Sequence, residues 1–423
     1  MKNSVLLSAI ACDPNMGSEA YVGWNWLQLT LRCTDVERVI LLTRKMHVDR
    51  VLAGLSPEQA QRTRVLGFDI WGLANMDHRH RLMKLYYVFW QLAALFYIAG
   101  YQARHRSIAV IHHCTYNVVD MPGFLWMIPG TAFIWGPVGG GQVPPAWSRR
   151  VYGRSWLKQR WRTLMKRTIR INPLVYLASL CARRIYVANA DTLAVLPAVA
   201  RGKSAPMLET AVAAVRAPAP AETTAATARF DVLWVGQLEP RKAVVILLDA
   251  LVHLRHTQPR VFELLRVSIV GSGPDAAAVH AAIHDARLEQ TVHAMGAISY
   301  TEVQELYQHA QAFVFTSVQD TSGNVLLEAL SNGVPAIAFN HQGAREILSD
   351  GGGLLLDVDS YESAVEAVAE ALARLTTQPE LRSRLAEEAI CNVRKNFLWG
   401  QKEQLHRKTL DELFPQPILL EDA

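Results

Sequence analysis

Cysteine is scarce in this sequence. Five residues, Cys12, Cys33, Cys114, Cys181 and Cys391, are scattered over 423 positions, and none forms a CxxC pair. An odd and widely spaced set indicates neither a disulfide framework nor a zinc site. We therefore expect a protein of a reducing compartment, the cytoplasm, whose cysteines are ordinary core and surface residues.

Acidic residues are missing from a long central stretch. None occurs between Asp120 and Asp191, although the net charge of the whole chain is only +5. Eleven basic residues fall in the stretch: Arg149, Arg150, Arg154, Lys158, Arg160, Arg162, Lys166, Arg167, Arg170, Arg183 and Arg184. Their field suits anionic lipid headgroups or phosphate-bearing substrates, while a solvated helix face is the alternative. Nucleic acid is disfavoured because no nucleic-acid-binding motif accompanies the charge.

A hydrophobic run long enough to cross a membrane is also lacking. The stretch 85–101 comes near, but it falls short of about 18 to 20 apolar residues and contains Gln91. Basic residues flank it on both sides, and its aromatic side chains are spread along it rather than gathered at the ends. A buried helix, or a helix lying in a membrane interface, is therefore the better interpretation.

The chain is too long for one compact core, so two domains of about 200 residues each are expected. Apolar runs alternate with helical patterns, which indicates an α/β class with parallel sheets and crossover helices. The predicted strands are 5–11, 39–42, 65–68, 108–112, 132–135 and 185–188 in the first half, and 232–236, 267–270, 292–295, 312–315 and 336–339 in the second.

Composition sets the domain boundaries. Residues 202–229 are rich in Ala, Pro and Thr without periodicity, which is typical of a linker. We therefore predict an N-terminal domain over 1–201 and a C-terminal domain over 230–395. The tail, 396–423, is predicted to hold a final helix that returns to the N-terminal domain.

Two acidic residues in the second half stand eight positions apart, Asp320 after a predicted strand and Glu328 inside the following helix. This spacing turns both carboxylates and the helix start, at Gly323, toward one crevice. N–H groups at a helix start can bind a phosphate, and carboxylates can accept hydroxyl groups of a sugar. An ordinary strand-helix unit with solvated acids has the same pattern, so the spacing alone leaves both interpretations open.

Two cations, Arg241 and Lys242, follow strand 232–236 on a loop that enters a helix. An arginine fork and a lysine point charge can together neutralise a diphosphate, although a solvated pair is the alternative. The next strand ends in a Gly-Ser-Gly-Pro turn at 271–274. NAD binding is not expected there, because the third glycine of the dinucleotide fingerprint is missing.

Glycines and histidines close three strands of the first half. Gly17 follows the first strand, where a backbone without a Cβ can approach an anion or simply form a turn. His112 and His113 end another strand, where a histidine can contact a substrate or lie satisfied in the core. A third strand runs into three consecutive glycines, which indicate close approach of a ligand or of another backbone: Gly139, Gly140 and Gly141.

These motifs together resemble those of one family. From residue 232 to about 356, the chain resembles the retaining glycosyltransferases of family 4, in the segment 236–242, the turn 271–274, Gly296, Tyr307, and the acid pair followed by 328–335. The first half is similar to a bacterial subset with Gly-Ser-Glu after strand one, a His-His-x-Thr strand end and a Trp-Gly-Pro-Val-Gly-Gly-Gly loop. The resemblance implies a GT-B fold, in which two Rossmann-like doubly wound domains face each other across a cleft.

The resemblance also implies roles for individual residues. Glu328 would bind the ribose of the donor nucleotide, and Asp320 would contact the transferred sugar. His112 or His113 would meet that sugar near its reactive carbon, and the three glycines would lie on the acceptor side. The diphosphate would be held by side chains and backbone N–H groups of Gly17, Arg241, Lys242, Ser322, Gly323, Asn324 and Val325.

Two positions depart from the family pattern. The family usually has Glu where this chain has Asp320, which is one methylene shorter and can shift the sugar contact. The family often has Arg where this chain has Gln237, so one diphosphate cation is lost. Arg241 can compensate for that loss.

The implied activity is transfer of a hexosyl group from a nucleotide-diphosphate sugar to a glycan or lipid-linked acceptor, in bacterial cell-surface or exopolysaccharide biosynthesis. Neither a metal nor a cofactor is expected, because cations and a helix start can stabilise the leaving diphosphate. The Asp-x-Asp at 357–359 is expected to be a solvated loop. Peripheral contact with the inner face of the cytoplasmic membrane is expected, and no partnership with nucleic acid.

Two other functions fit the same motifs. A sugar-nucleotide epimerase of the GT-B fold would use the same nucleotide site without an acceptor. A non-catalytic sugar-nucleotide-binding protein would account for the departures at Asp320 and Gln237. The sequence leaves the nucleotide, the sugar, the acceptor, the choice between the two histidines and the oligomeric state open.

Overall fold

The computed structural model of the protein describes residues 3–16, 19–70, 83–216 and 229–414. The chain divides into two compact units, each assembled from separate stretches of sequence. Unit 1 comprises 1–141, 164–209 and 399–423, and unit 2 comprises 142–163 and 210–398. Residues 142–163 thus group with unit 2, whereas the sequence analysis assigned them to the N-terminal domain.

Unit 1 is built on a parallel sheet of seven strands in the order β3-β2-β1-β4-β5-β6-β7. Its central strands are buried on both faces, which is why they are continuous apolar runs in the sequence. The strands are β1 (Ser4–Ser8), β2 (Arg38–Thr43), β3 (Thr63–Gly67), β4 (Val110–His113), β5 (Ala132–Val138), β6 (Ala182–Val187) and β7 (Ser204–Pro206).

Unit 2 has a parallel sheet of six strands in the order β10-β9-β8-β11-β12-β13. The strands are β8 (Phe230–Val235), β9 (Leu265–Val270), β10 (Val292–Gly296), β11 (Ala312–Phe315), β12 (Ala336–Phe339) and β13 (Gly353–Leu356). The two sheets with their crossover helices confirm the predicted α/β class with two Rossmann-like domains.

Helices cover the sheets, and their bounds follow in chain order. They are α1 (Glu19–Arg32), α2 (Lys45–Gly54), α3 (Pro57–Arg62), α4 (Met83–His105), α5 (Arg149–Tyr152), α6 (Trp156–Arg167), α7 (Pro173–Cys181), α8 (Ala190–Val195), α9 (Ala198–Arg201), α10 (Val244–Thr257), α11 (Pro259–Leu264), α12 (Ala276–Asp285), α13 (Tyr300–His309), α14 (Asn324–Ser331), α15 (Gln342–Leu348), α16 (Tyr361–Thr377), α17 (Pro379–Asn396) and α18 (Trp399–Leu413). The last of them packs against α1 within unit 1.

Two edge strands were not predicted. β7 lies at the start of the predicted linker 202–229, and it pairs with β6 rather than forming irregular chain. β13 begins at the last of three consecutive glycines and pairs with β12. The strands have three and four residues, so neither is long enough to show the periodicity that marks a strand. The rest of the predicted linker, 217–228, lies outside the described residues.

Candidate functional site

The candidate site of unit 2 lies where the order of its sheet reverses. β8 and β11 are neighbours although two strands intervene in sequence. Loops that leave such a pair run to opposite sides and open a crevice at the carboxyl ends of the strands. Arg241 and Lys242 lie on the loop after β8, and Asp320 lies on the loop after β11. The fold therefore brings together two segments that are about eighty positions apart in the sequence.

The loop after β11 fixes the backbone of the two cationic residues. The Val318 N–H donates to Arg241 O at 2.8 Å, and the Thr316 hydroxyl donates to Lys242 O at 2.8 Å. Residues Pro240–Lys242 form a 3-10 turn, after which Ala243 adopts a left-handed φ of 49°. Because residues that follow β11 donate hydrogen bonds to these two carbonyls, the backbone that carries the Arg241 and Lys242 side chains is fixed.

Lys242 and Asp320 form an ion pair in the crevice. Arg241 lies 2.6 Å from the Glu239 carboxylate and 3.8 Å from the Asp320 carboxylate. The Lys242 ammonium also lies over the Phe315 ring, 5.4 Å from its centroid. The side chains of Lys242 and Asp320 are only 12% and 18% exposed, so screening by water is partial. Arg241 and Lys242 are thus placed to neutralise a polyanion, and in this structure they pair with the carboxylates of Glu239 and Asp320.

Helix α14 starts beside this pair. Its N-terminal cap, Gly323, has a left-handed φ of 61°, and a Cβ there would lie 3.2 Å from the Phe315 ring. Glycine therefore allows the tight turn from the Asp320 loop into the helix. The buried Ser322 hydroxyl donates to Asn324 Oδ1 at 3.3 Å. Leu326 and Leu327 N–H donate to Gly323 O, whereas the N–H groups of Asn324 and Val325 have no acceptor within the helix and suit an anion.

Glu328 lies in the second turn of α14. The Tyr307 hydroxyl, on α13, donates to Glu328 Oε2 at 3.4 Å and to Val325 O at 3.1 Å. Burial raises the pKa of Glu328 to about 7, against the opposing effect of the hydrogen bond from Tyr307. The carboxyl group therefore changes charge near neutral pH. Tyr307 belongs to the sequence motif, but its role as the partner of Glu328 was not predicted, since it depends on how α13 packs.

Gln342 holds the backbone of Asp320. The Asp320 N–H donates to Gln342 Oε1 at 2.9 Å, and Gln342 Nε2 donates to Val143 O at 2.9 Å. Gln342 is buried and has a left-handed φ of 53°, a conformation that an L-residue adopts at a cost. Sequence reasoning missed this residue, because no motif marks a glutamine at the start of a helix.

Residues 142–163 fix the same loop from its other side. Gln319 Oε1 accepts from Gln159 Nε2 at 2.9 Å and from the Tyr152 hydroxyl at 3.2 Å. Gln142 Nε2 donates to the Thr321 hydroxyl at 2.6 Å. Tyr152 also joins the hydrophobic core of unit 2. A segment from the first half of the sequence therefore sets the position of Asp320.

The two candidate histidines of unit 1 point to opposite faces of the sheet, as neighbours on a strand must. His112 Nε2 donates to Gly136 O at 2.7 Å, and its ring packs against Trp26 and His406. His113 lies 2.9 Å from the Tyr87 hydroxyl and 3.1 Å from the Ser8 hydroxyl. Burial lowers the pKa of His112 to about 4 and that of His113 to about 3, so both rings are neutral at pH 7.

Neither imidazole reaches the surface, with exposures of 0% and 1%. Direct contact between one of these rings and a donor sugar therefore stays a prediction, and one that this geometry does not favour. Sequence could not distinguish the buried arrangement, because His112 is covered by α1 and α18 and His113 by α4, on the other face of the sheet.

The glycine loop of unit 1 is held against its own domain. Gly139 N–H donates to Asn117 O at 2.9 Å. A Cβ on Gly141 would lie 2.5 Å from the Thr192 Cα, so glycine permits the close packing of α8. Gly140 has a left-handed φ of 90° and is the one of the three that is partly exposed. Of the alternatives left open by the sequence, close approach of another backbone explains Gly141.

Gly17 lies outside the described residues. Glu19, two positions later, begins α1, and its half-buried carboxylate accepts the Tyr116 N–H. Burial raises the pKa of Glu19.

The described part of the chain holds no group of three or more His, Cys, Asp or Glu side chains suited to a metal, and none of its helices is long and apolar enough to cross a membrane. Asp357 and Asp359 bind Asn340 and Ser363.

Part of the chain is similar to a known protein family. Residues 216–390 match the family model described as glycosyl transferases group 1. The D-inositol 3-phosphate glycosyltransferase of Frankia alni is 35% identical over 169 residues, which is 37% of this chain and 39% of that protein. The match therefore spans about two fifths of the length of this curated relative.

Solved structures resemble the chain over nearly its full length. Anabaena HepE, in complex with UDP and glucose, aligns with 97% of this chain and 99% of its own at 14% identity and a TM-score of 0.62. WaaG, a glycosyltransferase involved in lipopolysaccharide biosynthesis, aligns with 97% of this chain and 100% of its own at 15% identity and a TM-score of 0.56. The chain therefore has the GT-B fold, and its residues 216–390 resemble the glycosyl transferases group 1.

Proposed function

We propose that the protein is a retaining glycosyltransferase of family 4, which transfers a hexosyl group from a nucleotide-diphosphate sugar. The observation that carries this proposal is the group formed by Arg241, Lys242 and Asp320 beside the start of α14. Two cations and free helix N–H groups suit a diphosphate, and two carboxylates suit the hydroxyl groups on either side of it. That HepE is known in complex with UDP and glucose supports a donor of this kind.

The reaction requires the protein to stabilise charge on the leaving group. As the bond between the anomeric carbon and the phosphate oxygen breaks, negative charge grows on the nucleoside diphosphate. Lys242 and Arg241 neutralise that charge, which lowers the barrier in a partly dehydrated crevice. The acceptor oxygen forms its bond to the anomeric carbon on the same face, and its proton passes to the departing phosphate. The configuration of the sugar is thereby retained.

The other assignments follow from this reaction. We place the donor on unit 2 and the acceptor on unit 1. The acceptor is a glycan or lipid-linked glycan, the process is cell-surface or exopolysaccharide biosynthesis, and the site of action is the cytoplasmic face of the membrane. The basic stretch between Asp120 and Asp191 supports an acidic lipid surface as the surroundings.

Donor affinity is expected to rise with pH if Glu328 binds the ribose. The hydroxyl groups of the ribose donate to a carboxylate, so the ionised form is the competent one. With a pKa of about 7, the group is mostly protonated at pH 6 and mostly ionised at pH 8. We expect a roughly tenfold lower Kd at pH 8 than at pH 6, measured by titration calorimetry. In Glu328→Gln the dependence should vanish. An equal slope in both proteins would exclude this role.

Transfer itself is tested with sugar-labelled UDP, GDP and ADP donors. With a membrane extract as the source of acceptor, label should move into glycan or glycolipid, and the new bond should have the anomeric configuration of the donor. With donor alone, only slow hydrolysis is expected. An epimerase would instead convert the donor to a different sugar nucleotide without any acceptor. A non-catalytic binding protein would leave every donor intact while still binding one of them.

A further inference from the structure

Helix α4 is apolar on both of its long sides. Tyr87, Trp90, Ala94 and Ile98 face the core of unit 1. On the opposite side lie Leu85, Phe89, Leu92 and Phe96, with exposures of 53%, 52%, 40% and 69%. Their spacing of four, three and four positions puts them in one row. A helix on the surface of a globular domain normally presents charged and polar residues there.

The outer row of α4 continues over neighbouring elements of unit 1. The 3-10 turn Leu125–Met127 packs against both α4 and α7, and Met127 is 52% exposed. On α7, Leu177 and Leu180 are 45% and 52% exposed. We call the outer side of α4, Met127 and the outer side of α7 the apolar face. Exposed apolar surface that extends over three elements marks an interaction site.

Positive charge borders the apolar face. The segment Thr168–Ile171, which joins α6 to α7, packs on α7 and carries Arg170. Arg167 ends α6, and Arg183 follows α7; both are exposed. No acidic residue occurs between Asp120 and Asp191, so the turn Leu125–Met127, the segment Thr168–Ile171 and α7 contribute no negative charge. A protein surface would need a matching acidic patch, whereas an anionic bilayer supplies negative charge and apolar depth together.

We propose that the apolar face binds the surface of a bilayer that contains anionic phospholipid. The phenylalanine and leucine side chains enter the boundary between headgroups and acyl chains, and the bordering arginines lie against lipid phosphates. This inference rests on the proposed function in one respect: a lipid-linked acceptor would be located at such a bilayer surface. The face itself is defined without reference to the donor site.

The test is flotation of the full chain with phosphatidylcholine vesicles, prepared with and without phosphatidylglycerol. The wild-type protein should float with the anionic vesicles and less so in high salt. The double variant Phe89→Ser and Phe96→Ser should partition at least about tenfold less, because two exposed aromatic anchors are lost. The double variant Arg167→Gln and Arg183→Gln should lose about fivefold per charge. A matched control, Leu52→Ser with Leu264→Ser, removes two leucines that are 47% and 38% exposed elsewhere.

Three outcomes would overturn the proposal. The phenylalanine variant floats as the wild type does, the control loses as much as the variant, or the wild type is a dimer that the variant dissociates and neither form floats. In the last case the apolar face joins two copies of the chain. Binding of the donor is measured on each protein. If the phenylalanine variant loses vesicle binding but still binds the donor, the effect is confined to the apolar face. If the wild type does not bind the donor, the proposed function is contradicted, whatever the vesicle result.

Discussion

Replacing Lys242 by alanine is expected to lower the rate of sugar transfer by a factor on the order of 100 to 1,000. The ammonium group is the cation that pairs with Asp320, on the loop that leads into α14. Without it the leaving diphosphate loses its main point charge, and Arg241 alone, already 2.6 Å from Glu239, neutralises less. The measurement is kcat with labelled donor at saturating acceptor.

A second variant separates two causes of that loss. In Lys242→Ala the Asp320 carboxylate has lost its close partner and repels the diphosphate. Combining Lys242→Ala with Asp320→Asn removes this repulsion, so partial recovery of donor affinity without recovery of kcat is expected. Lys395→Ala serves as the control, since that lysine pairs with Asp350 and its side chain is 72% exposed. A Lys242→Ala protein that keeps half of the wild-type rate would show that the donor site is elsewhere.

Unit 1 is expected to lose stability steeply below pH 6.5. His112 and His113 have pKa values near 4 and 3 in the folded protein, and burial also holds the pKa of His406 well below its usual value. The unfolded chain takes up protons near pH 6.5, while the folded chain does not. Each histidine therefore stabilises the fold fully above pH 6.5, and this contribution falls by about 1.4 kcal/mol per pH unit as acid is added.

Substitution of His112 by glutamine isolates this effect. The amide can still donate to Gly136 O, but it does not titrate. Between pH 7 and pH 5 the wild type should lose about 2 kcal/mol more free energy of unfolding than the variant, measured by urea titration. The raised pKa of Glu19 acts in the opposite sense and is common to both proteins. His280→Gln, at an exposed position on α12, should behave as the wild type; parallel curves for wild type and His112→Gln would refute the assignment.

The sequence was sufficient for the architecture because burial on both faces turns a central parallel strand into a continuous apolar run. All eleven predicted strands overlap observed ones. β7 and β13 escaped detection because strands of three and four residues are too short to show a periodicity. The boundary at residue 142 was not predicted, because the order of residues along the chain does not reveal that Tyr152 packs in the core of unit 2.

The candidate site was predicted in part. The loops that carry Lys242 and Asp320 were each recognisable, since a strand end followed by charged residues and glycine is a local signal. That the two side chains pair depends on β8 lying next to β11, which strand order along the chain does not reveal. Gln319 and Gln342 were missed for a related reason, because an amide becomes informative only when its hydrogen-bond partners are known. The burial of His112 and His113 likewise depends on helices that are distant in sequence.

The grouping of residues 142–163 with unit 2 limits how the chain can be divided. A fragment that starts after the linker would contain the whole family-model match except its first residues, yet it would lack Tyr152, Gln159 and Val143. Gln319 would then have no partner for its carbonyl, and an apolar recess of the core would open to water. Exchange of unit 2 between related proteins should therefore include this segment, since the loop around Asp320 is positioned by residues encoded on both sides of the linker.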